Sequence, residues 1–151
     1  MRVLGVDYGE RRIGIAVSDA TGMLARPVGA IPGDRNQVVA VDRVMDQVRT
    51  LEHDDDPIAL VVVGLPRRLD GSPNDQTPRV ESFAKLLRAR SARPIVLQDE
   101  RLTSHHADGL LAERERDWRV RKRKLDAAAA AVILQEYLDG HGSAMPDGVG
   151  D

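Results

Sequence analysis

Residues 1–18, MRVLGVDYGERRIGIAVS, decide the fold. A short apolar run over residues 3–6 ends in a single acid, Asp7. The polar stretch 9–12 then includes a glycine, the residue type that takes positive φ without strain, and apolar side chains alternate with small ones over 13–17. This pattern predicts a β-hairpin, with Asp7 at the exit of a buried strand.

Asp7 is the first candidate for a functional side chain. Rigid backbone holds an acid in that position at the edge of the core, where a carboxylate must be solvated, paired or bound to a metal. The alternative is that Asp7 only opens the turn, accepting local backbone hydrogen bonds as aspartates commonly do. Comparable acids later in the chain would favour the functional interpretation.

Length and composition limit the class of protein. At 151 residues the chain is expected to be one domain, and 42% hydrophobic with 30% charged residues excludes a disordered chain. Because no apolar stretch reaches about 18 residues, we expect no membrane span. The chain has no cysteine and no signal-peptide pattern, which predicts a cytoplasmic protein without disulfides or thiolate metal sites. A net charge of −2 does not by itself indicate a nucleic-acid binder.

The remaining segments predict a mixed α/β sheet. The residue patterns indicate a third strand over 23–31, at an edge because of its prolines, helices over 38–51 and from Gln76 or Thr77 toward Ser91, strands over 58–63 and 95–97, a helix starting at Thr103 or Ser104, and an alanine-rich helix over 127–138. Three sequential strands with short connections would be antiparallel. The continuous apolar run 58–63 is typical of a strand covered on both faces.

Two further acids resemble Asp7 in their placement. Glu100 follows the strand 95–97. The pair Leu125-Asp126 opens the alanine-rich helix, where the helix dipole would favour the charge of Asp126. Carboxylates without histidine or cysteine suit Mg²⁺ or Mn²⁺, and two such ions about 4 Å apart would orient water for hydrolysis of a phosphodiester. We therefore predict that Asp7, Glu100 and Asp126 are catalytic metal ligands, against the alternative that each is only a cap or turn residue.

Basic residues adjoin the third acid. The run 114–124 precedes Asp126, and its cations at Arg119, Arg121, Lys122, Arg123 and Lys124 are nearly contiguous. Beside a metal site it is interpreted as a phosphate-contacting collar, supplemented by Arg67 and Arg68 in the loop after the strand 58–63. A solvated charged face is the alternative.

Four blocks of the sequence resemble one known family. They are GVDYGERRIGIAVSD (5–19), VVGLPRRLDGSPNDQT (62–77), QDERLTSHHA (98–107) and LDAAAAAVILQEYLD (125–139). In this order they are similar to the signature blocks of the YqgF/RuvX family of bacterial ribonuclease H-like nucleases. The resemblance implies a ribonuclease H-like fold over residues 1–139, with a five-stranded mixed sheet flanked by helices. Residues 140–151 lie outside the shared blocks, and we expect them to form a disordered tail. The resemblance also implies metal-dependent phosphodiester hydrolysis by Asp7, Glu100 and Asp126.

The function expected from this resemblance is endonucleolytic processing of the 5′ end of pre-16S ribosomal RNA with two divalent ions. Holliday-junction resolution is the alternative, which would demand a symmetric dimer, and a non-catalytic RNA-binding protein of the same fold is a third possibility. An ATPase of the actin and sugar-kinase type would need a second nucleotide-binding half, for which 151 residues leave no space. The sequence leaves open a monomer or a homodimer, and association with ribosomal or rRNA-processing proteins.

Overall fold

A five-stranded sheet with helices on both faces forms the protein. The computed structural model describes residues 1–53, 56–100 and 117–141. In chain order the elements are β1 (Arg2–Asp7), β2 (Arg12–Ser18), β3 (Ala25–Pro32), α1 (Gln37–Glu52), β4 (Ile58–Leu65), α2 (Thr77–Arg90), β5 (Ile95–Asp99) and α3 (Trp118–His141). The helix predicted from Thr103 or Ser104 and most of the predicted tail lie outside the described residues.

The strands lie in the order β3-β2-β1-β4-β5. Strands β1, β2 and β3 are antiparallel neighbours, whereas β4 and β5 run parallel to β1. This arrangement confirms the predicted mixed sheet and the edge position of β3. Strands β1, β4 and β5 therefore end at the same edge of the sheet, where β2 begins, and we call this the C-terminal edge.

Two hydrophobic cores hold the layers together. One lies between the sheet and helices α1 and α2, with Phe83 and Val44 fully buried in it. The other lies between the sheet and α3, with Ile133 and Leu134 fully buried. Because both faces are covered, the central strands β1 and β4 are apolar along nearly their whole length.

Helix α3 packs on glycines of three adjacent strands. A Cβ on Gly14 in β2 would lie 2.0 Å from the carbonyl oxygen of Asp126, one on Gly5 in β1 would lie 2.9 Å from that of Ala130, and one on Gly64 in β4 would lie 2.5 Å from a methyl group of Ile133. At those distances a Cβ would force the neighbouring atoms to shift. The glycines thus let the helix backbone approach the sheet closely, and they place Asp126 against β2.

The start of α3 corrects one sequence prediction. The helix begins at Trp118 rather than at Leu125, because the Asp117 carboxylate accepts hydrogen bonds from the backbone N–H groups of Arg119 (2.9 Å) and Val120 (3.4 Å). The basic residues that follow are also good helix formers. Asp126 therefore lies more than two turns inside the helix, and the prediction that the helix dipole favours its charge is wrong, since that effect is confined to the first turn.

The turn between β1 and β2 needs its glycine for a different reason than predicted. Among the described residues only Gly22 and Gly71 have positive φ. A Cβ on Gly9 would instead lie 2.6 Å from the carbonyl oxygen of Arg12. Lack of space across the turn, rather than a left-handed backbone, requires glycine at position 9.

Candidate active site

Asp7 is the last residue of β1 and lies opposite Gly14 of β2. Burial, with a smaller contribution from the negative charge of Asp126, raises the pKa of its carboxyl from the ordinary 3.8 to about 7. No described residue donates a hydrogen bond that would lower this pKa. The alternative in which Asp7 serves only to accept backbone hydrogen bonds in the turn therefore finds no support in the part of the chain that the structure describes.

Glu100 follows β5 directly, at the same edge. Its backbone N–H donates to the carbonyl of Leu65 (3.2 Å), which ties it to the end of β4. Its Oε2 is buried and has no hydrogen-bond partner among the described residues. Burial, together with the smaller effects of the charges of Asp7, Glu136 and Asp99, raises the pKa of this carboxyl to about 8.

Asp126 reaches the site from α3 and is paired with an arginine. Its Oδ2 accepts a hydrogen bond from Nε of Arg12, the first residue of β2, at 2.5 Å. The two side chains are 26% and 33% exposed, so the ion pair is only partly shielded from water. Arg12 thus brings a positive charge to the C-terminal edge, where three acids would otherwise repel one another.

Asp7 interacts electrostatically with both of the other predicted acids. The charge of Asp126 acts on Asp7, and the charge of Asp7 acts on Glu100. Within residues 1–53, 56–100 and 117–141, no three histidine, cysteine or acidic side chains are arranged as a ready metal-binding group. The structure therefore places all three acids at one edge of the sheet. Asp126 forms an ion pair with Arg12 there and does not complete a metal-binding group with the other two acids.

The chemistry of these side chains fits a divalent cation. All donors are carboxylate oxygens, which Mg²⁺ and Mn²⁺ prefer. The buried Oε2 of Glu100 lacks a partner, and a carboxylate in that situation is costly unless something compensates its charge. A cation between Asp7 and Glu100 would favour the ionised form of both acids, which burial disfavours.

Sequence reasoning missed two charged residues near the acids. Arg12 appears in the sequence only as the last polar residue of a turn, and no local pattern indicates its pairing with Asp126, which is 114 residues away. Glu136 lies on α3 one helical turn after Ile133, the residue that packs over Gly64 near Glu100. Once Ile133 is assigned to that position, the helical repeat places Glu136 on the same side.

The basic residues of α3 occupy its first two turns. Arg119, Lys122, Arg123 and Lys124 are exposed, and Arg121 is half-buried. Arg119 and Lys122 lie seven and four residues before Asp126, so all three project from one side of the helix. The predicted collar is therefore continuous with the third acid.

Arg67 and Arg68 lie in the loop that follows β4. The backbone N–H of Arg68 donates to the carbonyl of Ser72 (2.9 Å), and Gly71 takes a φ of +88° to close this turn. Arg67 pairs with Pro73 across it. Since the loop starts at Leu65, whose carbonyl binds Glu100, both arginines leave the sheet at the C-terminal edge.

Comparison with known proteins gives one family and many relatives. A family described as "RuvX: Holliday junction resolvase" matches residues 1–140. A "Putative pre-16S rRNA nuclease" of Limosilactobacillus reuteri is 40% identical over 148 residues, covering 94% of this chain and 95% of the relative. A protein of Listeria monocytogenes with the same description is 41% identical over 143 residues, covering 92% and 98% of the two chains.

Two solved structures share the fold at low sequence identity. Thermus thermophilus RuvC, in complex with a Holliday junction substrate, is similar with a TM-score of 0.52 and 18% identity, covering 97% of this chain and 99% of that one. The yeast mitochondrial Holliday junction resolvase Ydc2 has a TM-score of 0.52 and 13% identity, with 93% and 79% coverage. These similarities confirm the ribonuclease H-like fold expected from the sequence.

Proposed function

The chain belongs to the RuvX family, and from this membership we propose that it is a metal-dependent endonuclease that processes the 5′ end of pre-16S ribosomal RNA. The observation that carries the proposal is the half-buried pair Asp7 and Glu100 at the C-terminal edge, with Asp126 beside Asp7. The relatives that name an RNA substrate are similar over nearly their whole length.

In this proposal Asp7, Glu100 and Asp126 hold one or two divalent ions. Bound there, Mg²⁺ or Mn²⁺ would lower the pKa of water and neutralise charge on the phosphate. Strand ends and a packed helix carry the three carboxylates, and such rigid supports keep ligands in position. The half-buried surroundings limit the access of bulk water and strengthen electrostatic interactions with the reacting group.

Arg12 adds a competing charge to this arrangement. Its guanidinium binds the Asp126 carboxylate that we assign to the metal site. A cation and Arg12 therefore compete for one carboxylate, and release of Arg12 would free it for a phosphate oxygen, the other group that arginine binds well. Arg12 is thus a positioning residue in the proposed site.

A single substitution tests the proposed chemistry. We expect Asp7→Asn to reduce Mg²⁺- or Mn²⁺-dependent cleavage of a 5′-extended 16S precursor RNA by at least about a hundredfold, because the amide is a poor substitute for an anionic ligand. Cleavage is followed on gels with end-labelled RNA. Circular dichroism and fluorescence anisotropy should show the fold and the RNA affinity retained.

Asp46→Asn is the matched control, since this aspartate lies on the outer face of α1 with a 70% exposed side chain. It should leave cleavage unchanged. Undiminished turnover by Asp7→Asn would remove the proposed mechanism. If the wild-type protein bound the precursor without cutting it in either metal, the non-catalytic RNA-binding alternative would replace the nuclease.

Holliday-junction resolution is the second candidate, favoured by the description of the matching family. It requires the same acids and a symmetric dimer with two sites on opposed strands. Cleavage of a four-way DNA junction, measured beside the precursor RNA at equal enzyme concentration, separates the two substrates, and analytical ultracentrifugation gives the oligomeric state. Depletion of the protein in its host should cause precursor 16S RNA to accumulate if the first candidate is correct.

A further inference from the structure

A groove of about 460 Å³ lies between the first turns of α3 and the end of β3. Ile31 and Pro32 form its apolar side. Trp118 lines it from the helix, with 56% of the residue exposed to solvent. A tryptophan that packs in a core would be far more buried, so the indole is available to an external ligand.

Two cations lie over the ring of this indole. Nζ of Lys122 lies 4.9 Å and Cζ of Arg119 5.8 Å from the ring centroid, distances at which cations are attracted to an aromatic face. These contacts hold the indole beside the groove. Arg11, from the turn between β1 and β2, adds a third positive charge to the lining. The groove therefore combines an apolar side, an aromatic ring and several cations.

The groove is continuous with the candidate active site. Arg12 lines it, and the same guanidinium binds the carboxylate of Asp126. Arg119 and Lys122 project from the side of α3 that carries Asp126. A ligand in the groove would therefore lie next to the acids that we assign to cleavage.

We propose that this groove binds an unpaired nucleotide adjacent to the cleaved phosphodiester, with its base against Trp118 and the apolar side and its phosphates near Arg11, Arg119 and Lys122. The inference rests on the proposed function and adds the substrate class: RNA or DNA that is single-stranded beside the cut. Stacking on an aromatic ring needs a free base face, which a base inside a duplex does not offer. Cations alone would bind a duplex equally well.

Trp118 is the one tryptophan of the chain, so intrinsic fluorescence reports on the groove directly. The test titrates the full-length protein with a five-nucleotide oligouridylate and with an abasic oligomer of the same length and phosphate number. We expect the oligouridylate to quench the fluorescence and to bind about five- to a hundredfold more tightly than the abasic oligomer. Equal binding and equal quenching would show a phosphate site without base recognition and would overturn the inference.

Variants then connect the groove to cleavage. Trp118→Ala should weaken binding of a labelled oligouridylate about five- to a hundredfold by anisotropy, and Trp118→Phe should restore most of it. Met23→Ala is the control, because this side chain is also exposed (57%) but lies in the connection between β2 and β3.

Wild-type protein should cut a precursor with an unpaired flank faster than the same RNA with the flank annealed to a complement, and Trp118→Ala should lose this difference.

Failure of the groove and failure of the nuclease are distinguishable. If Asp7→Asn abolishes cleavage while Trp118→Ala leaves affinity and flank preference unchanged, the groove inference falls and the proposed function stands. If the wild-type protein cuts no substrate yet binds oligouridylate through Trp118, the groove inference stands without the nuclease.

Discussion

Asp7 is the residue on which the electrostatics of the site depend. It interacts with Asp126 on one side and with Glu100 on the other, while its own burial already disfavours ionisation. A carboxylate in this position destabilises the fold when charged and unpaired. Carboxylates that destabilise the fold in this way are found where a bound cation or a catalytic role requires them.

The raised pKa values predict how stability depends on pH. Because both acids have folded-state pKa values above the ordinary 3.8 and 4.5, at about 7 and about 8, the folded state binds more protons than the unfolded state between those limits. The free energy of unfolding should therefore fall as pH rises from about 4 to about 8. The melting temperature, recorded in the presence of a chelator, should fall over the same pH range.

Two comparisons check whether Asp7 and Glu100 cause this pH dependence of stability. Asp7→Asn should flatten the pH dependence, because the amide does not ionise. Added Mg²⁺ should raise the melting temperature more at pH 8 than at pH 5, since ligands bind cations in their deprotonated form. A melting temperature that rises steadily between pH 5 and pH 8 in the chelator would contradict the assignment.

Residue patterns predicted the acids better than they predicted what neutralises them. Asp7 and Glu100 could be found because each follows a short apolar run that ends at a turn. The partner of Asp126 could not be found from the sequence, because Arg12 is distant in sequence and its contact with Asp126 depends on how α3 crosses the sheet. Long-range ion pairs of this kind leave no local pattern.

At the scale of elements, the path of α3 across the sheet decides whether the third acid reaches the site. Three glycines on adjacent strands provide the space for this crossing. The small side chains of the alanine run allow the helix to pack closely on the sheet, as at Ala130, whose carbonyl oxygen would lie 2.9 Å from a Cβ on Gly5. The start of the helix was predicted seven residues too late, because the basic run was interpreted by its charge rather than by its helix propensity.

Gly14→Ala tests the role of this crossing. A Cβ there would lie 2.0 Å from the backbone of Asp126, so the helix must shift, and we expect a loss of about 1–3 kcal/mol in the free energy of unfolding by urea, with reduced cleavage. Gly29→Ala is the matched control, because a Cβ at that strand position meets nothing within 4 Å. Equal stability of the two variants would mean that α3 is not held as close as described.

For the whole molecule, net charge conceals a separation of charges. The chain carries −2 overall, yet cations concentrate on the first turns of α3 and on the turn between β1 and β2. Strands that end together explain the placement of the acids, and topology of this kind could be predicted from element order. Within the described parts of the chain, none of the helices has the length and apolarity needed to cross a membrane.

Replacing Arg119, Lys122 and Arg123 together by glutamine tests the basic face. If each contacts one phosphate, the slope of log affinity against log salt should become shallower by about 2 for single-stranded RNA, since each contact contributes about 0.7. Affinity is measured by anisotropy between low and moderate salt. The triple replacement of Arg49, Lys85 and Arg90 on the outer faces of α1 and α2 removes the same charge and should leave the slope unchanged. An unaltered slope in the first variant would show that the basic face is not a nucleic-acid contact.

One continuous helix carries both the cationic turns and Asp126. An α-helix rises about 1.5 Å per residue, so the seven residues from Arg119 to Asp126 span about 10 Å along its axis. A continuous helix therefore fixes the distance between the cationic turns and Asp126. Under the proposed function, a strand bound by the cationic turns would be cut at a fixed distance from the bound phosphates. The spacing along the helix, rather than the base sequence, would then set the position of the cut relative to that contact.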